Sequence, residues 1–319
     1  MQLLTDYNLS ADPVGPCVVT LGNFDGVHLG HRALFRTLHD RAREFQCRSA
    51  VYTFFPHPLK FLQPDRAPLL LNTPAEKRRL IEASHVDLLI EAPFTRELAA
   101  LTPECFVDQV LIGQLQARAL VVGYDYAFGQ GRRGNAEFLQ SYCASRGISV
   151  DVLRPVGEDG QPYSSTRIRN RLAAGEVAEV VSLLGRHYNL EGVVVAGQQL
   201  GRTIGFPTAN LQTEKEQLPA PGVYAIKARY NLQEFSGVVN IGRRPTFDNG
   251  RSTIEVHLLD FSGDLYGQKL RIYFVERLRS ERKFAEPEEL VDAIKADVVR
   301  ARQILASRQI IQYQEYLAY

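Results

Sequence analysis

Residues 17–32 read CVVTLGNFDGVHLGHR. The stretch from Cys17 to Phe24 is an apolar, β-branched run without polar alternation, as in a strand buried on both faces of a parallel sheet. Asp25-Gly26 is a tight-turn dipeptide. A helix is expected to start near His31, with Leu34, Leu38 and Phe45 on one face and arginines opposite. In open parallel sheets ligands gather at the carboxyl ends of strands, and a helix N-terminus attracts phosphate. His28 and His31, on either side of Gly30, fall at that spot. Each imidazole can offer a hydrogen bond or partial positive charge to a phosphate oxygen. Two surface histidines beside a turn are the alternative; the glycine-framed pair at a strand–helix junction favours phosphate chemistry. A metal site is weaker, because this half of the chain has no further partner at ligand spacing.

Outward from this stretch the alternation continues. SAVYTFF (49–55), VDLLIEAPF (86–94), ARALVVGYDY (117–126) and ISVDVLRPV (148–156) read as strands. PAEKRRLIEAS (74–84), PECFVDQVLIGQL (103–115) and AEFLQSYCASRG (136–147) read as helices between them. Alternating strands and helices predict βαβ units and an α/β, Rossmann-like parallel sheet. After about Gly185 the pattern changes. LEGVVVAGQQ, GVYAIKARY, EFSGVVNIG, STIEVHLLDF and KLRIYFVERL are short strands broken by Gly, Pro and Asn turns, which predict an antiparallel, mainly β barrel. One helix follows over 286–305, acidic at its start and basic near its end, as the helix dipole favours. The boundary is therefore expected near Leu184–Tyr188, giving domains 1–185 and 186–319. No long linker marks it, and there is no internal repeat or low-complexity tract.

With 319 residues, 45% hydrophobic and 23% charged, the chain has length for two cores and is neither disordered nor fibrous. Lys+Arg 37 against Asp+Glu 36 leaves no global basic field to draw nucleic acid or a membrane surface. Cys17, Cys47, Cys105 and Cys143 form no C-x-x-C pair, so they are expected to be reduced, mostly buried thiols. The first residues, MQLLTDYNLSADPVGP, lack the basic and apolar regions of a signal peptide, and no apolar run approaches a membrane span. A cytoplasmic protein is expected.

Two further segments carry chemistry. SSTRIR (164–169) is a Ser/Thr-rich helix start followed by Arg167, Arg169 and Arg171; by itself it reads as a capped, solvated basic helix, and beside H-x-G-H as a second candidate anion site. GQQLGRTIGFPTANL (197–211) sets three glycines around Pro-Thr-Ala-Asn. Glycines permit close backbone approach to phosphates, and Thr208 and Asn210 offer hard oxygen ligands to Mg²⁺. The spacing fits neither a P-loop nor a dinucleotide fingerprint, and the glycines alone would read as a glycine-rich hairpin. In STIEVHLLDF, Thr253, Glu255 and His257 share the face opposite Ile254 and Val256. On periodicity alone Glu255 is equally a solvated strand residue or a pocket-facing base.

H-x-G-H after a strand resembles the nucleotidylyltransferase superfamily. GNFDGVHLGHR, TFFPHP (53–58), NTPAEK (72–77), VVGYDYAFGQGRRGN (121–135) and SSTRIR resemble, in order, the adenylyltransferase module of prokaryotic bifunctional riboflavin kinase/FAD synthetases. GFPTAN, GVYAI, VNIGRRPTF, EVHLLDF, DLYG and LRSERKF resemble the riboflavin kinase module of the same family. The resemblance implies an enzyme that phosphorylates riboflavin to FMN in its C-terminal domain and adenylylates FMN to FAD in its N-terminal domain. ATP would be the co-substrate and Mg²⁺ the metal. It further implies Glu255 as base, and His28, His31 and Arg169 as catalytic phosphate contacts. Gly22, Asn23, Phe24, Gly30, Asp125, Ser165, Thr166, Gly201 and Gly205 would bind ATP or phosphate, with turn capping the alternative role for Asp125. Thr208 and Asn210 would hold the metal, and Arg279 and Phe284 the flavin. Partners would be these small molecules, with no nucleic acid or membrane, for a monomer or weak homo-oligomer. Phe55 stands where the family usually has Glu, so no role is assigned to it.

Overall fold

In the computed structural model the stretch that opens the chain's pattern is the strand Cys17–Leu21 (β2), and all five of its residues are buried. The structure describes all residues except 6, 8–11, 198–200, 202–203, 244–251 and 314–319. β2 lies inside a sheet with β1 (Gln2–Thr5), β3 (Arg48–Phe55), β4 (Leu88–Pro93) and β5 (Ala117–Gly123). A hairpin, β6 (Ala127–Phe128) and β7 (Gly134–Asn135), precedes the last strand of the sheet, β8 (Ser149–Leu153). The order is β1-β4-β3-β2-β5-β8, and every pairing is parallel. The chain runs outward from β2 through β3 to β4, then returns to the other side of β2 with β5. Strand order therefore reverses between β2 and β5, where open α/β sheets place their ligands.

The helices fall close to the expected positions. Leu29–Glu44 begins two residues before His31, and β2 ends at Leu21 rather than Phe24, so the turn between them is longer than the sequence pattern suggests. Pro74–Glu82 carries Pro in its first turn and a Thr73/Glu76 capping box. Pro103–Cys105 continues into a π-helical segment, Phe106–Gln114, whose Phe106, Val107, Val110 and Leu111 are buried in the core. β1 is absent from the periodicity reading. It is a four-residue edge strand with one half-buried side chain, too short to show alternation.

A small hairpin, β9 (Gly157–Glu158) and β10 (Gln161–Pro162), is followed by a closed antiparallel barrel. Its strands are β11 (Asn189–Val195), β12 (Ala209–Gln212), β13 (Gly222–Tyr230), β14 (Gln233–Arg243), β15 (Ser252–Leu258) and β16 (Lys269–Ser280), in the order β11-β12-β15-β14-β13-β16. β12 is also new: four residues that begin within the PTAN segment, 197–211, and run one residue past it close the barrel. The helix Pro287–Leu305 packs Ala301 and Leu305 against Val223, Ala225, Val238, Val275 and Leu278. Residues of the other parity, Tyr224, Ile226, Val239 and Ile241, are buried as well, so these strands are apolar on both faces.

The chain divides into two compact units at Ser164/Ser165, earlier than the change of periodicity near Gly185. Hydrogen bonds explain this. The Ala220 N–H donates to the Leu172 carbonyl at 2.8 Å, and the Arg277 guanidinium donates to Ala174 O at 3.1 Å and Pro221 O at 2.8 Å. The helix Ser165–Ala174 thus belongs with the barrel. All four cysteines are free thiols; Cys17 and Cys143 are buried, and burial pushes the Cys17 thiol up to about 12. Among the described residues no helix is long and apolar enough to cross a membrane.

A barrel fragment starting at Ser165 is expected to melt at least about 5 °C above one starting at Gly185, since each lost kcal/mol lowers Tm by roughly 2–8 °C in domains of this size. Thermal unfolding followed by circular dichroism checks this; equal midpoints would mean that the helix adds nothing.

Candidate active sites

The first site lies at the switch point. His28 is the N-cap of the helix Leu29–Glu44 and His31 its third residue. The two side chains cap reciprocally: Nδ1 of His28 accepts the His31 N–H, and Nδ1 of His31 accepts the His28 N–H, both at 3.3 Å. The rings stack with centroids 3.6 Å apart. Two consequences follow. Backbone donors that a helix start leaves orphaned are satisfied. Because each Nδ1 accepts, the proton of each neutral ring sits on Nε2, which makes Nε2–H the donating edge.

The rest of the turn supports that pair. Phe24 takes φ +48° and is 1% exposed, and its ring meets His31 edge-on at 5.2 Å. A Cβ on Gly22 would lie 3.0 Å from that ring, so glycine is needed for Phe24 to tuck in. The Phe24 side chain therefore belongs to the core, which leaves its backbone for any phosphate contact. Buried Asp25 accepts the Leu71 N–H at 2.9 Å and the Asn72 N–H at 3.3 Å, tying residues 71–72 to the histidine turn. The sequence reading treated Asp25 only as a turn residue. Gly30 lies close to the chain again: its Cβ position is 3.5 Å from the Tyr163 carbonyl. Asp125 is exposed just past β5, beside a turn closed by Tyr126 N–H to Gly123 O. The structure thus brings Gly22, Asn23, His28, His31 and Asp125 to the carboxyl ends of two adjacent strands.

A pocket opens beside Asn23, walled by Phe54, Phe55 and Leu70 and carrying Asn72 and Lys77. Phe55 is 49% exposed there. The Lys77 ammonium donates to Thr53 Oγ1 at 3.2 Å and to the Asn23 carbonyl at 3.5 Å. Burial lowers its pKa below the usual lysine range, while Glu91 and Asp25 pull it upward.

Ser165, Thr166 and Arg169 lie in the first half of the helix Ser165–Ala174, in the second unit. Arg171 of the same run is taken up by Glu176 at 2.6 Å and Glu179 at 2.9 Å.

The barrel site rests on strand register. Asn210 of β12 is directly opposite Glu255 of β15, and Glu255 is directly opposite Asn240 of β14. Three polar residues thus lie in a row across three strands. Ile254 and Val256 are buried on the other face, while Thr253, Glu255 and His257 are half-buried on this one. Asn240 was not singled out from the sequence, where VNIG shows only a strand. His257 Nδ1–H donates to the Pro207 carbonyl at 2.8 Å, and its ring meets Phe206 edge-on at 5.6 Å, which holds the PTAN segment against β15. Gly201 O accepts the Phe206 N–H at 2.7 Å, and a Cβ on Gly201 would collide with Phe206 O and lie 3.2 Å from Thr208 Oγ1. Gly205 takes φ +84°, a region open chiefly to glycine. A Cβ on Gly197 would collide with the Asn210 amide. The tail of VNIGRRPTF, 244–247, lies outside the described residues.

Arg279 is engaged by a partner that the sequence did not reveal. Its guanidinium pairs with Asp297 of the helix Pro287–Leu305 at 2.9 Å. Burial pushes the Asp297 carboxyl up, and Arg279 opposes that shift. Arg279 and Arg282 both lie against the Phe284 ring, at 5.5 and 4.6 Å.

A parallel sheet with paired imidazoles at its switch point, joined to a closed barrel with a carboxylate among hard oxygen donors, defines a two-module transferase. An FAD synthetase family model matches residues 11–167 and a riboflavin kinase family model matches 184–305. The bifunctional riboflavin kinase/FMN adenylyltransferase of Pseudomonas fluorescens is 41% identical over 96% of this chain and 98% of that protein. That of Escherichia coli (strain K12) is 40% identical over 93% and 95%, and that of Bacillus subtilis (strain 168) 37% over 91% and 93%. The crystal structure of a macrolide-efflux protein from Streptococcus pneumoniae superposes with a TM-score of 0.85 at 33% identity, covering 94% of this chain and 98% of that one. The chain belongs to the bifunctional riboflavin kinase/FMN adenylyltransferase family.

Replacing Asp25 by Ala strands two buried N–H groups of residues 71 and 72. A stability loss of about 3 kcal/mol is expected, the scale of losing charge-assisted hydrogen bonds. Urea unfolding of the purified variant measures it.

Proposed function

We propose that the chain makes flavin cofactors in two ATP-dependent steps. In the barrel unit the 5′-hydroxyl of riboflavin attacks the γ-phosphate of ATP, giving FMN and ADP. In the parallel-sheet unit the phosphate of FMN attacks the α-phosphate of ATP, giving FAD and pyrophosphate. The observation that carries the kinase assignment is the register of Asn210, Glu255 and Asn240. An alcohol is a poor nucleophile, and a carboxylate fixed in a strand among amides can accept its proton as bond formation proceeds. No cluster of three His, Cys, Asp or Glu among the described residues could hold a metal by itself. The barrel instead offers Thr208 and Asn210 beside glycines that leave them room, which suits Mg²⁺ held by a few protein oxygens together with nucleotide phosphates. When bound, Mg²⁺ offsets phosphate charge. Gly201 and Gly205 allow the backbone close to those phosphates. Arg279 and Phe284 are assigned to the flavin, with Arg279 oriented by Asp297.

In the sheet unit no general base is required, because a phosphate monoester with a second pKa of about 6 is mostly dianionic at neutral pH. Catalysis there is electrostatic. The Nε2–H edges of His28 and His31 stabilise charge on the α-phosphate and the departing pyrophosphate. Asp125 and the Gly22–Phe24 backbone place ATP; Ser165, Thr166 and Arg169, on the helix that opens the second unit, are assigned to phosphate binding by their residue types. We place this work in the cytoplasm, carried out by a monomer or weak homo-oligomer without nucleic acid or membrane. Domains of 1–185 and 186–319 remain the proposed functional division, with the helix Ser165–Ala174 packed on the barrel.

Chromatography of products from riboflavin, ATP and Mg²⁺ tests the whole reading: FMN and then FAD are expected, and the appearance of neither would overturn it. Glu255→Gln is expected to slow riboflavin phosphorylation by a factor on the order of 10²–10⁴ while FMN is still converted to FAD. A variant within a few-fold of the parent would remove Glu255 from the role of base. His28→Ala combined with His31→Ala is expected to abolish FAD formation from FMN while FMN still accumulates from riboflavin. Undiminished FAD synthesis would exclude the histidines from phosphate chemistry.

A further inference from the structure

The pocket beside Asn23 is lined by a residue with a buried acceptor that has no hydrogen-bond partner among the described residues. Asn72 is 8% exposed and lines that pocket. Its amide orientation is set by its surroundings: Nδ2 donates to Glu76 Oε2 at 3.4 Å, and a carboxylate only accepts. The same Glu76 oxygen accepts the Thr73 N–H at 3.0 Å within the helix cap, so the carboxylate cannot easily turn away. The backbone N–H of Asn72 is committed to Asp25. What remains is Oδ1, buried and without a hydrogen-bond partner among the described residues. A buried acceptor with no donor is costly, and such groups in a folded protein call for an explanation. The same pocket carries a donor, the Lys77 ammonium, and apolar walls from Phe54, Phe55 and Leu70.

We infer that Asn72 and Lys77 read the imide edge of the flavin ring, with Asn72 Oδ1 accepting its N3–H and Lys77 donating to a neighbouring ring carbonyl. A flat heterocycle with an N–H between two carbonyls matches an orphan acceptor and an ammonium in one apolar-walled pocket. The pocket begins at Asn23, five residues before His28, so the ring of a substrate whose phosphate meets the histidines has this wall beside it. Asn72 and Lys77 are therefore specificity-determining residues: a ring without the N–H leaves Oδ1 buried and unpaired, and the site penalises it. This inference rests on the adenylyl-transfer reading of the first unit.

The test uses the full-length chain, ATP and Mg²⁺ with FMN or N3-methyl-FMN, and records KM for each flavin and for ATP. The parent chain is expected to show a KM for N3-methyl-FMN higher by about tenfold or more, the scale of one lost hydrogen bond plus a stranded acceptor. Asn72→Leu is expected to raise KM for FMN by a similar factor, to leave KM for ATP within about twofold, and to stop distinguishing the two flavins. Lys77→Met is expected to raise KM for FMN but to keep the penalty for N3-methylation, because Asn72 still reads the N–H. If the parent chain uses both flavins equally well, or if Asn72→Leu still rejects the methylated one, the inference is overturned. The analogue comparison in the parent chain does not depend on any variant folding. A parent chain that makes no FAD from FMN at all would instead overturn the adenylyl-transfer reading itself.

Discussion

A helix cannot start without satisfying its first backbone N–H groups, and in this chain two histidines do so with their own Nδ1 atoms. Much of the first unit is arranged around that reciprocal cap. It stacks the two rings and fixes their tautomers, with the proton of each neutral ring on Nε2. Phe24 supports His31 from below, and Gly22 is small because Phe24 must fit over it. Asp25, one residue further on, uses its buried carboxylate to fasten the 71–72 segment to the same turn. The cap holds both imidazoles at a helix start and not on a loop, which is where the proposed phosphate chemistry would need them.

The barrel solves a similar problem with different means. Its site is built by register: β12 is only four residues long, yet its pairing with β15 sets Asn210 opposite Glu255, and β14 adds Asn240 on the far side. Shifting β12 by one residue would turn Asn210 to the opposite face of the barrel wall. His257 resists such a slip by holding the Pro207 carbonyl, and the glycines on either side leave the space that Asn210 and Thr208 occupy. Both units therefore position their polar groups by backbone hydrogen bonding. That suits catalysis in which charge must be stabilised without moving the donors.

Alternation of strands and helices in the first half, and its loss after Gly185, was enough to read a parallel sheet followed by an antiparallel barrel, because hydrophobic period reflects how each element is buried. The histidine pair, the PTAN segment and Glu255 were visible for the same kind of reason: their residue types are chemically specific and their spacing places them at a turn or on one face of a strand. The short strands β1 and β12 were not visible, since four residues carry too little pattern. Asn240, Asp297 and the orphaned Asn72 oxygen were not visible either, because each is defined by a partner distant in sequence or by the lack of one.

The sequence by itself determined the fold class of each half, most of its longer elements, the candidate residues for the chemistry and the family that the chain resembles, all properties of local pattern and residue type. Tertiary structure alone decided that β5 returns beside β2 to create the switch point, that the helix Ser165–Ala174 packs with the barrel, and that Arg279 is held by Asp297. It also decided that the histidines cap one another and so which ring nitrogen of each accepts a backbone N–H. The physical reason is the same in each case. Pairing, register and the satisfaction of buried polar groups are settled between residues far apart along the chain, and no local pattern records which of several possible partners wins.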